Sequence, residues 1–531
     1  MQRLLFAIAS LVITSSVGAQ TSSEEDTLQF TYSGYWQART IHIGNLFLGQ
    51  PDYNDIGKLA SDEVDNRLGG LRDTSFYRHQ MRLSPRLSYG EIATLQADLD
   101  ILDGVIWGDN AEVAALPLFA TDPSSTGFDG NPIDGLSLRR LWLELKIPVG
   151  VLRVGRQPSQ WGLGLLANKG DGLGADFGDF QHGLSADRIL FATKPVQIVQ
   201  TLMGNPNAGK GWGSKLIMAF AYDQIVDLAD KADAENGEAT CSTCPPQVVL
   251  SRPGDDVHQY VLVLAYKDEK ANLLTDSDVL VAGVYGVHRV QKETKSKVWI
   301  LDAHLKLRLG NFGLETEVLF LAGDTEAIDT GFNPKTIDIK GGALRAGYYE
   351  REFDIELELG WAPGDSETTD ENFTGFPFHP DYNVGLLLYE QVLAARTARA
   401  WTRDQRGLWS KGGVWNSKYI YPKIRWRPSF VEGLSVTGAF LWAQANADTN
   451  AIWFATTEAG GGDLDLGYEI DLAVRYDFYR YFHGKVEAGV FIPGRALWKD
   501  VAPKEAHDLL ITDADRADVA WTVQGRLGME F

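Results

Sequence analysis

Cysteine, basic charge and long apolar runs are scarce in this sequence, and each scarcity removes a class of protein. Only two cysteines occur in 531 residues; with 55 glycines and 11% aromatics, this favours a β-rich chain from an oxidising compartment over a cytosolic enzyme. Lysine and arginine number 49 against 71 aspartates and glutamates, for a net charge of -22. No basic cluster interrupts that excess, so a surface that neutralises nucleic-acid phosphates is excluded. Neither Gly-x-Ser-x-Gly nor the Gly-Lys-Ser/Thr end of a phosphate loop is present. After residue 19 no apolar stretch approaches the roughly 20 residues that a membrane-spanning helix requires.

The first nineteen residues read as a secretory signal peptide. Arg3 supplies the positive start, Leu4 to Ile13 form an apolar run broken only by Ser10, and Val17, Gly18 and Ala19 offer a small-residue cleavage site. No cysteine follows the run to take a lipid, so the mature chain is expected from Gln20 as one domain, 20–531.

What the rest of the chain has in quantity is alternation. From Thr27 onward, segments of about ten residues alternate apolar and polar side chains, the pattern of a tilted transmembrane strand. Val519, Trp521, Val523, Leu527, Met529 and Phe531 share one parity, while Thr522, Gln524, Arg526 and Glu530 take the other. A terminal aromatic on the apolar face resembles the outer-membrane signature read by the barrel assembly machinery. Arg78, Gln80, Arg82, Ser84 and Arg86 alternate with Met81, Leu83 and Leu87, and Asp98 and Asp100 with Ala97 and Leu99. Asp302, His304, Lys306 and Arg308 face away from Leu301, Ala303, Leu305 and Leu307; Asp354, Glu356 and Glu358 oppose Ile355, Leu357 and Leu359. A Lys or Arg at the lipid midplane costs about 2–4 kcal/mol, so these charges are expected to point inward, into a polar and wet interior.

Eighteen strands are predicted, with 16 to 20 as the accepted range, starting near Thr27, Phe76, Ile92, Leu138, Val151, Ser185, Ser214, Val257, Val279, Lys297, Phe312, Ile337, Phe353, Trp415, Leu434, Gly467, His483 and Arg516. Tight connections at Tyr89-Gly90-Glu91, Pro148-Val149-Gly150, Gly310-Asn311 and Glu350-Arg351-Glu352 alternate with long ones, of which 364–414 is the longest. Short turns opposite long loops are the habit of outer-membrane barrels, here of a Gram-negative bacterium. The stretch Lys194 to Gly213 breaks the alternation and could conceal a misread strand. Barrels of roughly 16–18 strands are wide enough for an aqueous channel.

The remaining motifs are weighed against plainer readings. Cys241 and Cys244 lack the further ligands of a zinc site and the strand-to-helix setting of a redox pair, so a local disulfide is expected. The glycine-rich segment Gly155 to Phe180 is expected to fold against the wall or into the lumen as a constriction. Its Asp171, Asp176 and Asp179 could supply oxygens to Ca²⁺, but solvated loop carboxylates are commoner, and no metal or cofactor is expected. Among the histidines, His304 has inward parity, His79 outward parity, and His182, His379 and His507 lie in loops, none paired recognisably with a nucleophile. No enzyme is expected. The long loop 364–414 carries Phe373, Phe376, Phe378, Tyr382, Trp401 and Trp409, able to plug the mouth or pack on itself.

Arg78, Arg82, Arg86, Arg140, Arg153, Lys423, Arg425 and Arg427, with Tyr421, are candidate pore-lining residues suited to carboxylated or hydroxylated solutes. Asp98, Asp100, Asp302, Lys306, Arg308, Glu356 and Glu358 complete that set, and pairing across the lumen is the plainer fate of such mixed charges. Leu152-Arg153-Val154-Gly155-Arg156-Gln157, ending a strand before the glycine-rich loop, resembles the Arg-x-Gly-Arg-Gln segment of alginate-export-type porin-like barrels. Trp161-Gly162-Leu163-Gly164 and Asn168-Lys169-Gly170-Asp171 look more like uncharacterised deltaproteobacterial outer-membrane barrels. The resemblance implies an eighteen-stranded monomer with Arg153 and Arg156 near the constriction; the residues themselves leave monomer and trimer open. The mixed-sign lumen departs from the strongly basic passage of an alginate exporter. The expectation is therefore a porin-like channel for small hydrophilic solutes, saccharides or organic anions, with outer-membrane lipid, lipopolysaccharide and the assembly machinery as its partners. Polysaccharide export and a plugged adhesive platform are the alternatives.

Overall fold

The computed structural model describes residues 27–46, 48, 73–108, 136–173, 176–180, 183–205, 209–225, 257–292, 294–326, 334–366, 370–394, 397, 410–447, 464–497 and 517–531. The expected signal peptide, Cys241 and Cys244, His182, His507, Trp401 and Trp409 lie outside these residues.

Period-two alternation becomes twenty strands: β1 Leu28–Gly44, β2 Thr74–Tyr89, β3 Ala93–Asp100, β4 Gly104–Gly108, β5 Ser137–Ile147, β6 Gly150–Pro158, β7 Ser185–Thr193, β8 Leu216–Ile225, β9 Val257–Asp268 and β10 Val279–Gln291. They continue as β11 Ser296–Leu309, β12 Phe312–Thr325, β13 Lys335–Tyr349, β14 Phe353–Ala362, β15 Asn372–Phe373, β16 Ser417–Trp426, β17 Leu434–Ala445, β18 Asp465–Tyr479, β19 Phe482–Pro493 and β20 Ala520–Glu530. β3 and β4 both pair with β2 and make one interrupted stave, while β15 adds in parallel to the end of β13. The other strands pair antiparallel with their neighbours and β1 pairs with β20, giving a closed barrel of eighteen staves. Closure satisfies every edge, which an open sheet in lipid could not do.

Each of the eighteen predicted strands corresponds to a stave, although β20 begins at Ala520 rather than near Arg516. The doubtful stretch holds a short helix, α1 (Pro195–Leu202), started by its proline and followed by a turn at Trp212–Ser214. It is a long connection, 194–215, at the short-turn end, so the strand count survives although the alternation of lengths is broken there. Gly90 and Gly310 take positive φ (50° and 56°) in two of the tight turns, a conformation open to glycine at little cost.

Register fixes which face each residue takes. On β20, Thr522, Gln524 and Arg526 are buried while Trp521, Val523 and Leu527 are exposed, as their parity predicts. Leu143, Ile189, Phe220, Leu301, Phe320, Ile424, Ile470 and Val486 continue the exposed apolar belt around the outside. No helix among the described residues is long and apolar enough to cross a membrane; in a barrel the strands do so.

The interior departs from the expectation of a wholly polar, wet lumen. The described parts of the connections 159–184 and 363–416 turn inward, and Leu165, Phe177, Phe378, Leu386, Leu387, Tyr389, Val392 and Leu393 pack on inward-facing Ile41, Val287, Ile300, Leu319, Leu321, Ile337, Ile339 and Leu441. Toward the long-loop end these strands are apolar on both faces, and the loops cover the inner one. The glycine-rich segment does enter the lumen, and Phe378 and Tyr382 of the long loop lie in its core.

The outward face can be tested directly. Ile470, 53% exposed near the middle of β18, should tolerate Ile470→Arg poorly, losing about 2–4 kcal/mol in denaturant unfolding from lipid vesicles. Unchanged stability would contradict the lipid-facing assignment.

Candidate functional site

Because charge is kept from the outer face, it collects on the inner one, and the register decides what meets what. On the first staves Arg82 binds Asp100 through two bonds of 2.6 and 2.8 Å and reaches Asp171 of the inward loop at 2.5 Å. Arg140 spans Asp98 at 3.2 Å and the same Asp171 at 2.7 Å. Arg78 stands 3.8 Å from Asp103, and Arg86 is exposed to the lumen nearer the short turns. Arg153 binds Glu144 at 2.6 Å, also in the short-turn half and away from the inward loops.

Arg156 requires a correction. It lies opposite Leu141 and shares the parity of the exposed Val154, so it belongs to the outer face, where it pairs with Asp187 at 2.7 Å. Placing it in the lumen is incompatible with the alternation of β6: Arg153, Gly155 and the buried Gln157 take the inner positions.

Across the barrel, Glu358 accepts from Arg345 at 2.8 Å, Tyr382 of the long loop at 2.7 Å and Tyr419 at 2.9 Å. Lys423 binds Glu356 at 2.6 Å and lies over the Tyr421 ring. Arg427 pairs with Asp354, and Arg425 bonds Asp176 of the inward loop at 2.8 Å. On β11 and β12, Glu315 takes His304 at 3.0 Å and Lys306 at 3.1 Å, while Arg308 bonds the Gly310 carbonyl at 3.2 Å. Asp302 accepts from the Trp161 indole at 3.1 Å.

Asp171, Asp176 and Asp179 do not converge on a shared cation position. Each grips a different part of the wall: Arg82 and Arg140, Arg425 with Thr437, and Arg39. Burial alone would raise the Asp176 carboxyl, but Lys485 and Arg425 beside it hold it below its ordinary value. Backbone amides complete the anchorage. Gly164 and Leu165 donate to Glu317, Phe177 to Glu487, and Leu386, Leu387 and Leu388 to Glu469. The carboxylates of the wall thus hold loop backbone that would otherwise be buried without partners.

The strongest of these groups were not singled out in the sequence. Arg39 faces Arg526 in register, both almost fully buried, so a carboxylate from elsewhere is needed between them. Asp179 meets Arg39, and Glu487 meets Arg526 at 2.8 Å and Lys485 at 3.1 Å. The available signal was a lone basic residue on the polar parity of two neighbouring strands. Arg188 with Asp223, joined at 2.6 Å, is a further buried pair of this kind.

At the short-turn end the lumen opens into a cavity of about 700 Å³ lined by Arg351, Glu352, Arg425, Arg427, Arg475 and Asp477, with Asp176 at its edge.

No family model matches the sequence, and no curated protein matches it. Solved structures do align over most of its length. One is OpdK of Pseudomonas aeruginosa, crystallised with vanillate, at 10% identity, covering 94% of this chain and 98% of that one with a TM-score of 0.45. OccK2 (OpdF) of the same organism, in complex with glucuronate, gives 9% identity, 94% and 98% coverage and a TM-score of 0.44. OccAB1 of Acinetobacter baumannii gives 12%, 96%, 100% and 0.46.

Removing the carboxylate of Asp179 should leave Arg39 opposite Arg526 with only Glu390, 3.7 Å away, as its own counter-charge, while Glu487 still serves Arg526. Asp179→Asn is expected to cost about 3–5 kcal/mol and to speed hydrogen exchange at the amides of Phe177 and Gly178. Unchanged exchange there would mean that the ion pair does not hold the loop.

Proposed function

We propose that this protein is a porin-like channel of a Gram-negative outer membrane, passing small hydrophilic solutes passively and favouring organic anions over cations. One observation carries the reading. In the short-turn half the inner wall presents Arg86, Arg153, Lys306, Arg308, Arg345, Lys423, Arg425, Arg427 and Arg475, which narrowly outnumber the facing Glu144, Glu315, Asp354, Glu356, Glu358 and Asp477 together with Asp176 of the inward loop. This basic surplus sits inside a chain whose net charge is -22. A ring of cationic side chains lowers the energy of an anion in a pore, and the guanidinium fork matches a carboxylate in two bonds. Such transport needs no nucleophile and no cofactor; the solute moves down its gradient. The exposed apolar belt supports contact with lipid and lipopolysaccharide, and insertion by the barrel assembly machinery is part of the same proposal.

The packed core of the two inward loops supports a second reading, a closed barrel that acts through its external loops. The finer likeness to alginate exporters has less behind it, since most basic side chains in the lumen are matched by carboxylates.

Planar-bilayer recording of the refolded protein separates the readings. Ohmic steps with a reversal potential on the anion side are expected, and Arg425→Glu with Arg427→Glu should move that potential toward cations. A cation-selective wild type would overturn the anion preference. Silence from a correctly folded barrel would overturn the channel and favour the closed platform.

A further inference from the structure

The connection between β7 and β8 stands apart from the other short-end connections, which are tight turns or loops without a helix. Its helix α1 segregates its side chains: Val196, Ile198, Val199, Leu202 and the following Met203 occupy one side, while Gln197, Gln200 and Thr201 recur at the spacing of the other. None of the helix residues is buried. Leu202 is 81% exposed, Met203 80% and, just before β8, Trp212 62%. Val196 packs against Gly213, but Val199, Leu202 and Met203 leave most of the apolar side uncovered, and amphipathic order with an uncovered apolar side marks a surface made for something outside the chain.

Two independent features say what that is. The segment 194–215 contains Lys194, Lys210 and Lys215 and no aspartate or glutamate, in a chain with 71 of them. It also continues the lipid-facing wall: the outward residues of the two strands it joins include Ile189 and Phe220, and the adjacent β9–β10 turn exposes Leu274 at the same end. Tryptophan at the edge of an apolar belt is the usual marker of a bilayer interface.

We propose that α1 and Trp212 lie on the phospholipid leaflet at the short-turn end of the barrel, with the apolar side in the acyl boundary and Lys194 and Lys210 against anionic headgroups. The arrangement is that of an interfacial helix, in which burial and charge attraction act together. It rests on the membrane reading of the barrel above. Its role is to fix the depth and tilt of the β7–β8 side of the wall.

The test is nitroxide accessibility in nanodiscs of phosphatidylethanolamine and phosphatidylglycerol, with single cysteines in a Cys241→Ser, Cys244→Ser background. Leu202→Cys reports the apolar side, Thr201→Cys the polar side and Ile470→Cys the barrel wall. The oxygen-to-nickel accessibility ratio at 202 is expected to match that at 470 and to exceed that at 201 several-fold. Lys194→Glu with Lys210→Glu should lower the ratio at 202; no change would overturn the electrostatic half. If 202 is as nickel-accessible as 201 while 470 stays lipid-like, the docking is wrong and the barrel reading stands. If 470 is itself nickel-accessible, the membrane reading falls first. Protection of 202 from both reagents would mean cover by protein and would also overturn the proposal.

Discussion

A barrel wall in lipid permits charge on one face only, and much of this structure follows from that restriction. Side chains alternate strictly along a strand, so excluding Lys, Arg, Asp and Glu from the outer positions drives them onto the inner ones. There they meet according to register rather than by choice, and some meetings are unfavourable. Arg39 lands opposite both Arg78 and Arg526. In a medium poorer than water at screening, such a cluster needs counter-charge close by. The inward loop supplies it through Asp179, as it supplies Asp171 to Arg82 and Arg140 and Asp176 to Arg425. The loop is therefore an electrostatic component of the wall as well as an obstruction of the lumen.

The obligation runs the other way as well. Loop backbone brought into the barrel carries amides that lose water, and wall carboxylates receive them: Glu317 for Gly164 and Leu165, Glu487 for Phe177, Glu469 for three successive amides from Leu386. Burial pushes Glu390 of the long loop up to about 7, with Arg39 at 3.7 Å opposing it. Polar anchorage and apolar packing thus divide the work. Carboxylates fix the loops' position, and Phe177, Phe378, Leu386 and Leu387 fill the space beside the apolar inner faces of β10 to β13.

How much of this could be read from the chain depends on periodicity. Where one face meets lipid and the other water or ions, alternation is clean, and strands such as β2, β11 and β20 could be placed with their inward residues named. Alternation fails where both faces are apolar. Val318-Leu319-Phe320-Leu321 and Trp299-Ile300-Leu301 are such runs, and they mark the part of the wall that a loop covers. Read as strand alone, they gave the stave but not its cover. Arg156 shows the opposite failure: the resemblance implied a place near the constriction, whereas parity put it outward beside Asp187. Near a rim, water and a neighbouring carboxylate relieve the penalty that holds at the midplane. The partner of Arg39 was unreadable because Asp179 lies 140 residues along the chain and reaches it only through the inward loop, whereas Glu487 stands on the strand beside Arg526.

Net charge is a poor guide to such a lumen. The excess acid includes Asp227, Asp230, Asp233, Glu235, Glu238, Asp255 and Asp256, all in one long connection, while the short-turn half of the inner wall is richer in arginine and lysine. In the wall itself, charges of both signs are interleaved and paired between neighbouring strands. At physiological salt the field of an exposed charge falls off within about 8 Å. Beyond that distance the local wall governs, and there Lys423, Arg425 and Arg427 stand beside Glu356, Glu358, Asp176 and Asp354. On the proposed channel reading, selectivity is set by the residues within a Debye length of the path, and the total for the chain has little say in it.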